Sequence, residues 1–325
     1  MNPYSIFDIK SETSFKKKTL EIFKLQFENN NVYRSFCDLL CKYPSEINDI
    51  NDIPFLPIDF FKTKAVITSN SNIQQTFTSS GTAGSKTSKH HVKDLKLYEN
   101  SFIKGFEQFY GPIDNYTILG LLPSYLERDG SSLVYMVNTM IEKSKSPKSG
   151  FYLKDLEKLR DTIFELESRK EKTLLIGVSY ALLDLIESYE FKLEHTIIME
   201  TGGMKGNRKE MVKSELYSIL KKGFGVEHIH SEYGMTEMLS QAYSKRDGFF
   251  SSANWMKVLI RDPEDNTTIL TNGKCGGINI IDLANIHSCS FVATQDLGKV
   301  HSNGLFELLG RFDQSDIRGC NLMMV

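Results

Sequence analysis

The sequence contains little cysteine, and none of it is spaced for a metal site. Its 325 residues include five cysteines, an odd number, and no C-x-x-C pair: Cys37, Cys41, Cys275, Cys289 and Cys320. This pattern argues against a disulfide framework and against a structural zinc site. Reduced thiols are expected, and the presence of a reactive thiol among them stays open.

Long apolar runs, a secretory leader and a strong net charge are also missing. The N-terminus, MNPYSIFDIKSETSFKKK, has no basic segment followed by an apolar one. Apolar runs such as TILGLLP are too short to span a bilayer. The net charge of −2 gives no indication of a nucleic-acid or membrane-surface partner. We therefore expect a soluble, cytoplasmic protein that binds neither nucleic acid nor membrane.

Apolar spacing predicts a helical N-terminus. Residues 13–44 place apolar side chains three and four positions apart, which predicts two helices. Cys37 and Cys41 would lie one turn apart on the second helix, and we interpret both as small buried residues. The single tryptophan, Trp255, stands at the start of a predicted strand and is interpreted as part of the core.

The rest of the chain indicates an α/β protein with a β-rich end. Apolar strands alternate with amphipathic helices from about residue 74 to residue 243, which predicts layered sheets flanked by helices. After residue 250, short strands separated by turn residues predict a small antiparallel barrel or sheet. We therefore expect an α/β nucleotide- and acyl-binding core over residues 1–245 and a β-rich subdomain over residues 246–325.

A loop rich in serine, threonine and glycine follows the first of these strands. The stretch FTSSGTAGSKTSKHHV runs from Phe77 to Val92. It is not a P-loop, because Lys86 stands where that pattern requires its second glycine. Glycines still allow backbone N–H groups to turn toward an anion, and hydroxyl groups add donors. Taken alone, the stretch is either a phosphate-binding loop or a plain Ser/Gly loop.

Three later segments carry polar groups that suit a nucleotide. SEYGMTE, at 231–237, offers an aromatic face, a tight turn, a hydroxyl and the carboxylate of Glu237, which suits Mg²⁺ beside phosphate. TQDLG, at 294–298, puts Asp296 at a strand end, where a carboxylate can accept two hydrogen bonds from a ribose diol. GRFDQSDIRG, at 310–319, supplies Arg311.

In this order, the four segments resemble the motifs of the adenylate-forming superfamily, which includes acyl-CoA synthetases, adenylation domains and firefly luciferase. ETGGMKG, at 200–206, lies where that superfamily has its adenine-side loop. The TSSGTAG form, the YGMTEMLSQAY run and the RGC ending are most similar to the acyl-protein synthetases (LuxE-type). Phenylacetate-CoA ligases are the next relatives. The resemblance implies the fold of the superfamily's N-terminal domain, ending in a small β-barrel-like subdomain and lacking the usual mobile C-terminal domain.

The resemblance also implies a role for individual residues, with ATP and Mg²⁺ as cofactors. It places these residues around the ATP phosphates: Thr78, Ser79, Ser80, Gly81, Thr82 and Gly84. It places these on the adenine and ribose: Gly202, Gly203, Tyr233, Asp296 and Arg311. Thr236 would contact the α-phosphate, and Glu237 would hold Mg²⁺.

The implied reaction is the attack of a carboxylate, from a fatty or other carboxylic acid, on the α-phosphorus of ATP. The resemblance implies transfer of the acyl group to Cys320, near the C-terminus, and then to an acyl reductase. GRFDQSDIRG resembles the hinge motif of that superfamily. Full-length relatives carry a catalytic lysine in a domain beyond this hinge, where this sequence ends. Lys86 or Lys89 is a candidate substitute, and the hinge role of Asp313 is in doubt.

Other interpretations stay open at this point. If a soluble thiol accepts the acyl group, the protein would instead be an acid–CoA or acid–carrier-protein ligase. If it binds the nucleotide without catalysing a reaction, it would be a non-catalytic nucleotide-binding scaffold. His228 and His230 lie two apart and suit either a strand-end pair near the nucleotide or, less well, a metal site. The basic run at 89–91 would steer phosphate or form a solvated face, and we favour the solvated face. Tyr125 and Ser131 are candidates for an acyl tunnel.

Overall fold

The computed structural model describes residues 1–68, 72–79, 86–123, 130–153, 155–202, 208 and 211–312. The α-helices are α1 (Glu12–Asn29), α2 (Asn31–Leu39), α3 (Phe60–Thr63), α4 (Leu95–Tyr110), α5 (Ser132–Ser144), α6 (Leu156–Ser168), α7 (Ser179–Ser188) and α8 (Lys213–Phe224). The strands are β1 (Leu56–Pro57), β2 (Gln75–Thr78), β3 (Lys89–Val92), β4 (Thr117–Leu121), β5 (Gly150–Phe151), β6 (Thr173–Val178), β7 (Thr196–Thr201), β8 (His230–Tyr233), β9 (Ala242–Ser244), β10 (Phe249–Ser252), β11 (Met256–Arg261), β12 (Cys275–Asp282), β13 (Phe291–Val300) and β14 (Phe306–Arg311).

The chain divides into two compact units that are not continuous in sequence. The first unit contains residues 1–101, 236–240 and 251–325, and the second contains residues 102–235 and 241–250. The short segment Thr236–Ser240 therefore belongs to the first unit, although the residues on both sides of it belong to the second. None of the helices among the described residues is both long and apolar enough to cross a bilayer.

The first unit is built on an antiparallel sheet. Its strands follow the order β11–β12–β13–β14, and the short strand β1 pairs in parallel with β13. Strands β2 and β3 form a separate antiparallel hairpin, in which Thr78 pairs with Lys89. The turn-rich sequence after residue 250 thus forms the antiparallel strands that its short apolar runs predict.

The N-terminal helices pack on this sheet through aromatic side chains. Asn30 ends α1, and its side chain caps α2 by accepting from the backbone N–H groups of Val32 and Tyr33. The ring of Tyr33 stacks on Phe291, at the start of β13, with 5.8 Å between ring centroids, and Phe23 meets Phe291 edge-on at 6.0 Å. This cluster fixes both helices against the strand that carries Asp296.

The second unit contains a mostly parallel sheet in the order β9–β8–β7–β6–β4–β5. Strands β4 and β6 are buried along their whole length, as expected for parallel strands covered on both faces. Helix α5 packs on β4, while α6 and α7 pack on β6. The carboxyl ends of β6, β7 and β8 lie at one edge of this sheet, the edge where α/β folds place ligands.

The predicted mixed α/β fold with helices on its sheets is confirmed, and two local interpretations are wrong. Cys41 lies beyond the end of α2, exposed and with φ of 52°, so it is not a buried helical residue like Cys37. The run at 89–91 is strand β3 rather than a solvated face, because His90 is fully buried and His91 bonds Thr76 of the neighbouring strand at 2.9 Å. Trp255 is buried, as predicted.

Candidate functional site

The Ser/Thr/Gly-rich loop connects the two strands of the β2–β3 hairpin. The N–H of Ser79 donates to the carbonyl of Ser88 at 3.1 Å, and the N–H of Ser88 donates to the Ser79 hydroxyl at 2.9 Å. These two bonds close the base of the loop just beyond the last paired residues. The predicted phosphate-loop residues Ser80, Gly81, Thr82 and Gly84 lie outside the described residues. Lys86 and Lys89 are both exposed.

The segment Thr236–Ser240, which carries two of the predicted site residues, is held by buried polar groups of the first unit. Asp282, at the end of β12, accepts from the N–H of Leu239 at 2.8 Å and from the N–H of Ser240 at 3.0 Å. The side-chain amide of Asn285 donates to the carbonyl of Glu237 at 2.7 Å. The segment has no regular secondary structure, so these side chains supply the hydrogen bonds that a strand or helix would otherwise provide.

The carboxylate of Glu237 is buried and surrounded by groups that favour its charge. Burial raises the pKa of Glu237, whereas a hydrogen bond from the Ser88 side chain and the charges of Arg311 and Lys62 act in the opposite direction. The β2–β3 hairpin region thus contacts Glu237 through Ser88. A buried carboxylate of this kind gains stability when a cation approaches it.

Asp296 and Arg311 face each other on neighbouring strands. They are paired in the register of β13 and β14, and Arg311 Nε donates to Asp296 Oδ1 at 3.0 Å. Asp296 is buried, whereas the side chain of Arg311 is largely exposed. The two residues that the resemblance assigns to the ribose are therefore neighbours in the structure.

Arg261 stabilises the strand that carries Asp296. Its guanidinium is buried and donates to the carbonyl of Ile278 at 2.8 Å and to that of Thr294 at 2.6 Å. Gly277 makes room for it, since a Cβ there would lie 2.5 Å from the guanidinium carbon, and β12 has a bulge at this point. The Thr294 hydroxyl accepts from the N–H of Asp296 at 3.1 Å. Arg261 thus fixes the backbone from which Asp296 projects.

The second unit contains the predicted adenine-side residues. Gly202 follows β7 with φ of 72°, a conformation that favours glycine, and its carbonyl accepts from the Ser179 hydroxyl at 3.2 Å. Tyr233 ends β8, and its ring meets Phe250 edge-on at 6.1 Å. Gly203 lies outside the described residues.

Next to Tyr233, a buried carboxyl group lies against the backbone. Thr201 donates to Glu232 Oε2 at 2.6 Å, and a Cβ at Gly234 would lie 2.5 Å from Glu232 Oε1. Burial raises the pKa of Glu232 to about 7, and the charge of the nearby Glu200 adds to this effect. The absence of a side chain at residue 234 is thus what allows this carboxyl group to fit under the turn after β8.

We expect Glu232→Gln to stabilise the protein in a pH-dependent way. Because the pKa in the folded protein is above its ordinary value of 4.5, Glu232 contributes stability below pH 4.5 that is lost as pH rises through 7. Glutamine remains neutral, so the variant should be more stable than wild type at pH 8 by up to about 3 kcal/mol. Urea unfolding at pH 5 and pH 8 measures this difference, with the exposed Glu227→Gln as control. An equal difference between variant and wild type at both pH values would contradict the prediction.

The structure therefore groups the described site residues as follows. Thr78, Ser79, Thr236, Glu237, Asp296 and Arg311 belong to the first unit, and Gly202 and Tyr233 to the second. Cys320, Asp313 and Tyr125 lie outside the described residues.

Several residues beside Glu237 were not predicted from the sequence. These are Lys62, Ser88, His90, Asp282 and Asn285. The sequence could have indicated Ser88 and His90, because alternate residues of a strand lie on the same face and this stretch forms a strand. No sequence motif indicates Lys62, Asp282 or Asn285, because these residues are brought near Glu237 or its segment only by the tertiary structure.

The described residues fit Mg²⁺ only together with phosphate. Within those ranges, no group of three or more His, Cys, Asp or Glu side chains is placed to hold a metal ion. Magnesium, however, takes one or two carboxylates together with water and phosphate oxygens, so the single buried carboxylate of Glu237 fits a nucleotide-bound ion. His230, one of the two histidines considered above for a metal site, contacts Tyr110: the Tyr110 hydroxyl lies 3.1 Å from His230 Nδ1.

Comparisons with known proteins agree with these motifs. Residues 1–122 match the family model described as acyl-protein synthetase, LuxE. The chain is 22% identical over 334 residues to a long-chain-fatty-acid–luciferin-component ligase of Vibrio harveyi, covering 93% of this chain and 85% of that protein.

Solved structures show the same fold. A 2-hydroxyisobutyryl-CoA ligase, in an open conformation with 2-HIB-AMP and CoA, matches 93% of this chain and 70% of its own, with a TM-score of 0.71 and 11% identity. ATP-bound MatB from Rhodopseudomonas palustris matches 75% of this chain with a TM-score of 0.56 and 18% identity, and the match spans 49% of the MatB chain. The resemblance predicted from the sequence is thereby confirmed: the first 122 residues match the LuxE acyl-protein synthetase family, and the chain has the fold of adenylate-forming enzymes.

Proposed function

We propose that this protein is an ATP-dependent ligase that activates a carboxylic acid as its acyl adenylate. The observation that carries the proposal is the group around Glu237 in the first unit. A buried carboxylate there contacts the base of the Ser/Thr/Gly-rich hairpin loop through Ser88. The positive charges of Arg311 and Lys62 favour its ionised form. Such a group suits a nucleotide whose phosphates bring both negative charge and a divalent cation.

The proposed contacts with ATP follow the family motifs. The phosphates bind at the hairpin loop, from Thr78 and Ser79 through the glycines to the candidate Lys86. The hydroxyl of Thr236 donates to the α-phosphate. Catalysis in this scheme rests on positioning the acid against the α-phosphorus and on neutralising charge in the transition state.

The ribose and adenine have separate partners in the proposal. Asp296 accepts hydrogen bonds from the ribose hydroxyls, and the exposed guanidinium of Arg311 approaches the same sugar. Tyr233 stacks on adenine, and the Gly202–Gly203 turn borders it. Mg²⁺, held by Glu237 and the phosphates, would neutralise charge on the phosphate oxygens.

We further propose that the acid is a fatty acid and that the thiol of Cys320 attacks the acyl adenylate, which forms a thioester and releases AMP, before the acyl group passes to an acyl reductase. The name of the Vibrio harveyi relative, a long-chain-fatty-acid ligase, supports the choice of acid. A β-barrel-like end to the domain remains a prediction, as do the domain boundary after residue 245 and a cytoplasmic location. Transfer to CoA or a carrier protein is the second candidate, favoured by the structural likeness to a CoA ligase.

ATP–pyrophosphate exchange tests the proposal directly. The purified protein is incubated with MgATP, labelled pyrophosphate and one acid at a time, from medium- and long-chain fatty acids to phenylacetate. We expect exchange that depends on the acid, with the fatty acids giving the highest rates. Exchange that is absent with every acid would contradict the proposal and favour a non-catalytic scaffold. Adding CoA and looking for released acyl-CoA separates the second candidate from the first.

A further inference from the structure

We propose that His90 is a positioning residue that fixes the Thr236–Glu237 segment relative to the phosphate-loop hairpin. His90 Nδ1 lies 2.8 Å from the carbonyl oxygen of Thr236. The ring is fully buried and meets Phe61 edge-on, with centroids 5.7 Å apart. A residue that closely follows the loop in sequence thus holds, through one hydrogen bond, a segment 146 positions further along the chain.

The position of His90 follows from the alternation of strand β3. Ser88 and His90 are two residues apart and both are buried, whereas Lys89 between them is exposed. Residues two apart in an extended chain share a face. Ser88 and His90 therefore face the same segment, where Ser88 contacts the carboxylate of Glu237 and His90 contacts the preceding backbone carbonyl.

The chemistry of this contact fixes the state of the imidazole. A carbonyl oxygen can only accept, so Nδ1 must carry the proton. Burial lowers the pKa of His90 to about 4, so the ring is neutral near pH 7 and Nε2 has no proton. His90 therefore donates through Nδ1 to the Thr236 carbonyl, and the side chain of Asn285 also contacts the ring.

The other anchors of the segment come from elsewhere in the first unit. Asp282 and Asn285 hold it to the end of β12 and the loop that follows, and α1 supports that loop because Gln26 bonds the carbonyl of Asn285 and the N–H of Ser290. These contacts hold the segment to the first unit. Ser88 and His90 tie the segment to the hairpin.

The consequence for catalysis rests on the proposed function. If the hairpin loop holds the phosphates and Glu237 holds their cation, the distance between loop and carboxylate must be constant to within a fraction of an ångström. His90 would set that distance without touching the substrate. Its loss should therefore slow the MgATP-dependent reaction while leaving the fold intact.

Two variants distinguish the contribution of the hydrogen-bond donor of His90 from that of its ring packing. His90→Phe keeps an aromatic ring beside Phe61 but leaves the Thr236 carbonyl without its donor. His90→Asn loses the ring but keeps an amide N–H close to the position of Nδ1. We expect His90→Phe to reduce kcat/KM for MgATP in pyrophosphate exchange by about tenfold to a hundredfold, the range that an unsatisfied buried carbonyl implies. His90→Asn should recover a substantial part of that loss.

Hydrogen exchange provides a readout that does not require turnover. The amides of Leu239 and Ser240 are protected by Asp282 and should exchange about tenfold faster in His90→Phe than in wild type, since the segment opens more readily. His91→Phe is the matched control, because His91 lies on the same strand and bonds Thr76 rather than the segment. It should leave the exchange of these two amides unchanged.

Two results would overturn the inference. One is unchanged exchange of Leu239 and Ser240 in His90→Phe. The other is a His90→Asn variant that is as impaired as His90→Phe or more so, since that order indicates ring packing rather than hydrogen bonding. If wild-type protein shows no pyrophosphate exchange with any acid, the proposed function fails, yet the amide measurement still decides the positioning role of His90.

Discussion

Replacing Glu237 by glutamine is expected to reduce acid-dependent ATP–pyrophosphate exchange by about a thousandfold or more. Glutamine has nearly the same shape, and its carbonyl oxygen can still accept a hydrogen bond from Ser88. It has no negative charge, however, and the proposed role of Glu237 is to hold the cation that neutralises the phosphates. The variant should therefore lose the reaction while it keeps the local geometry.

Stability measurements distinguish this loss from unfolding. Burial raises the pKa of Glu237, which means that the folded protein holds the ionised carboxylate at a cost when no cation is present. A neutral amide removes that cost, so the thermal midpoint of Glu237→Gln should equal or exceed that of wild type. The exposed Glu264→Gln is the control, and it should change neither activity nor the midpoint. A Glu237→Gln variant that retains exchange within about tenfold of wild type would show that the carboxylate does not hold the cation.

The pH dependence of wild-type exchange should follow from the same group. Since burial raises the pKa of Glu237, protonation on the acidic side removes the charged form at a higher pH than for an ordinary glutamate. Magnesium competes with the proton for the ionised carboxylate, so raising its concentration should move this acidic decline to lower pH. A carboxylate that does not hold magnesium would give a decline that stays in place.

The sequence predicts the class of fold well because local patterns carry it. The largely apolar strands β4 and β6 and the amphipathic helices between them indicate parallel pairing without any tertiary information. The short strands after residue 250 are similarly clear. Cys41 shows the limit: its spacing from Cys37 fits a helix, but α2 ends at Leu39 and the chain turns at Cys41 with positive φ.

The candidate site is predictable only where a motif is local. Glu237 and Asp296 stand in short polar segments after apolar strands, so the sequence alone selects them. Lys62 and Asn285 act on Glu237 across large separations in sequence, and no spacing rule connects them to it. His90 lies in a stretch whose lysine and histidines suggested solvent exposure, while burial on one face of β3 decides its role.

Replacing Cys320 by serine is expected to abolish covalent acylation of the protein while leaving pyrophosphate exchange within about twofold of wild type. The two steps use different groups in the proposal, because the adenylate forms at the Glu237 segment and the thiol acts only afterwards. Incubation with ATP and labelled fatty acid, followed by denaturing electrophoresis, measures the covalent label. A label on the thiol is a thioester, so brief treatment with neutral hydroxylamine should remove it from the wild-type protein.

The four remaining cysteines provide the controls, and they differ in solvent exposure. Cys37 and Cys289 are fully buried, and burial raises the pKa of each thiol, to about 12 for Cys37, so neither forms the thiolate that attacks an adenylate. Cys41 and Cys275 are exposed and therefore accessible to an activated acid. Cys41→Ser and Cys275→Ser should both retain the label. A Cys320→Ser protein that still labels, or a label lost only in one of these two controls, would assign the acceptor to a different residue and would remove Cys320 from the proposed reaction.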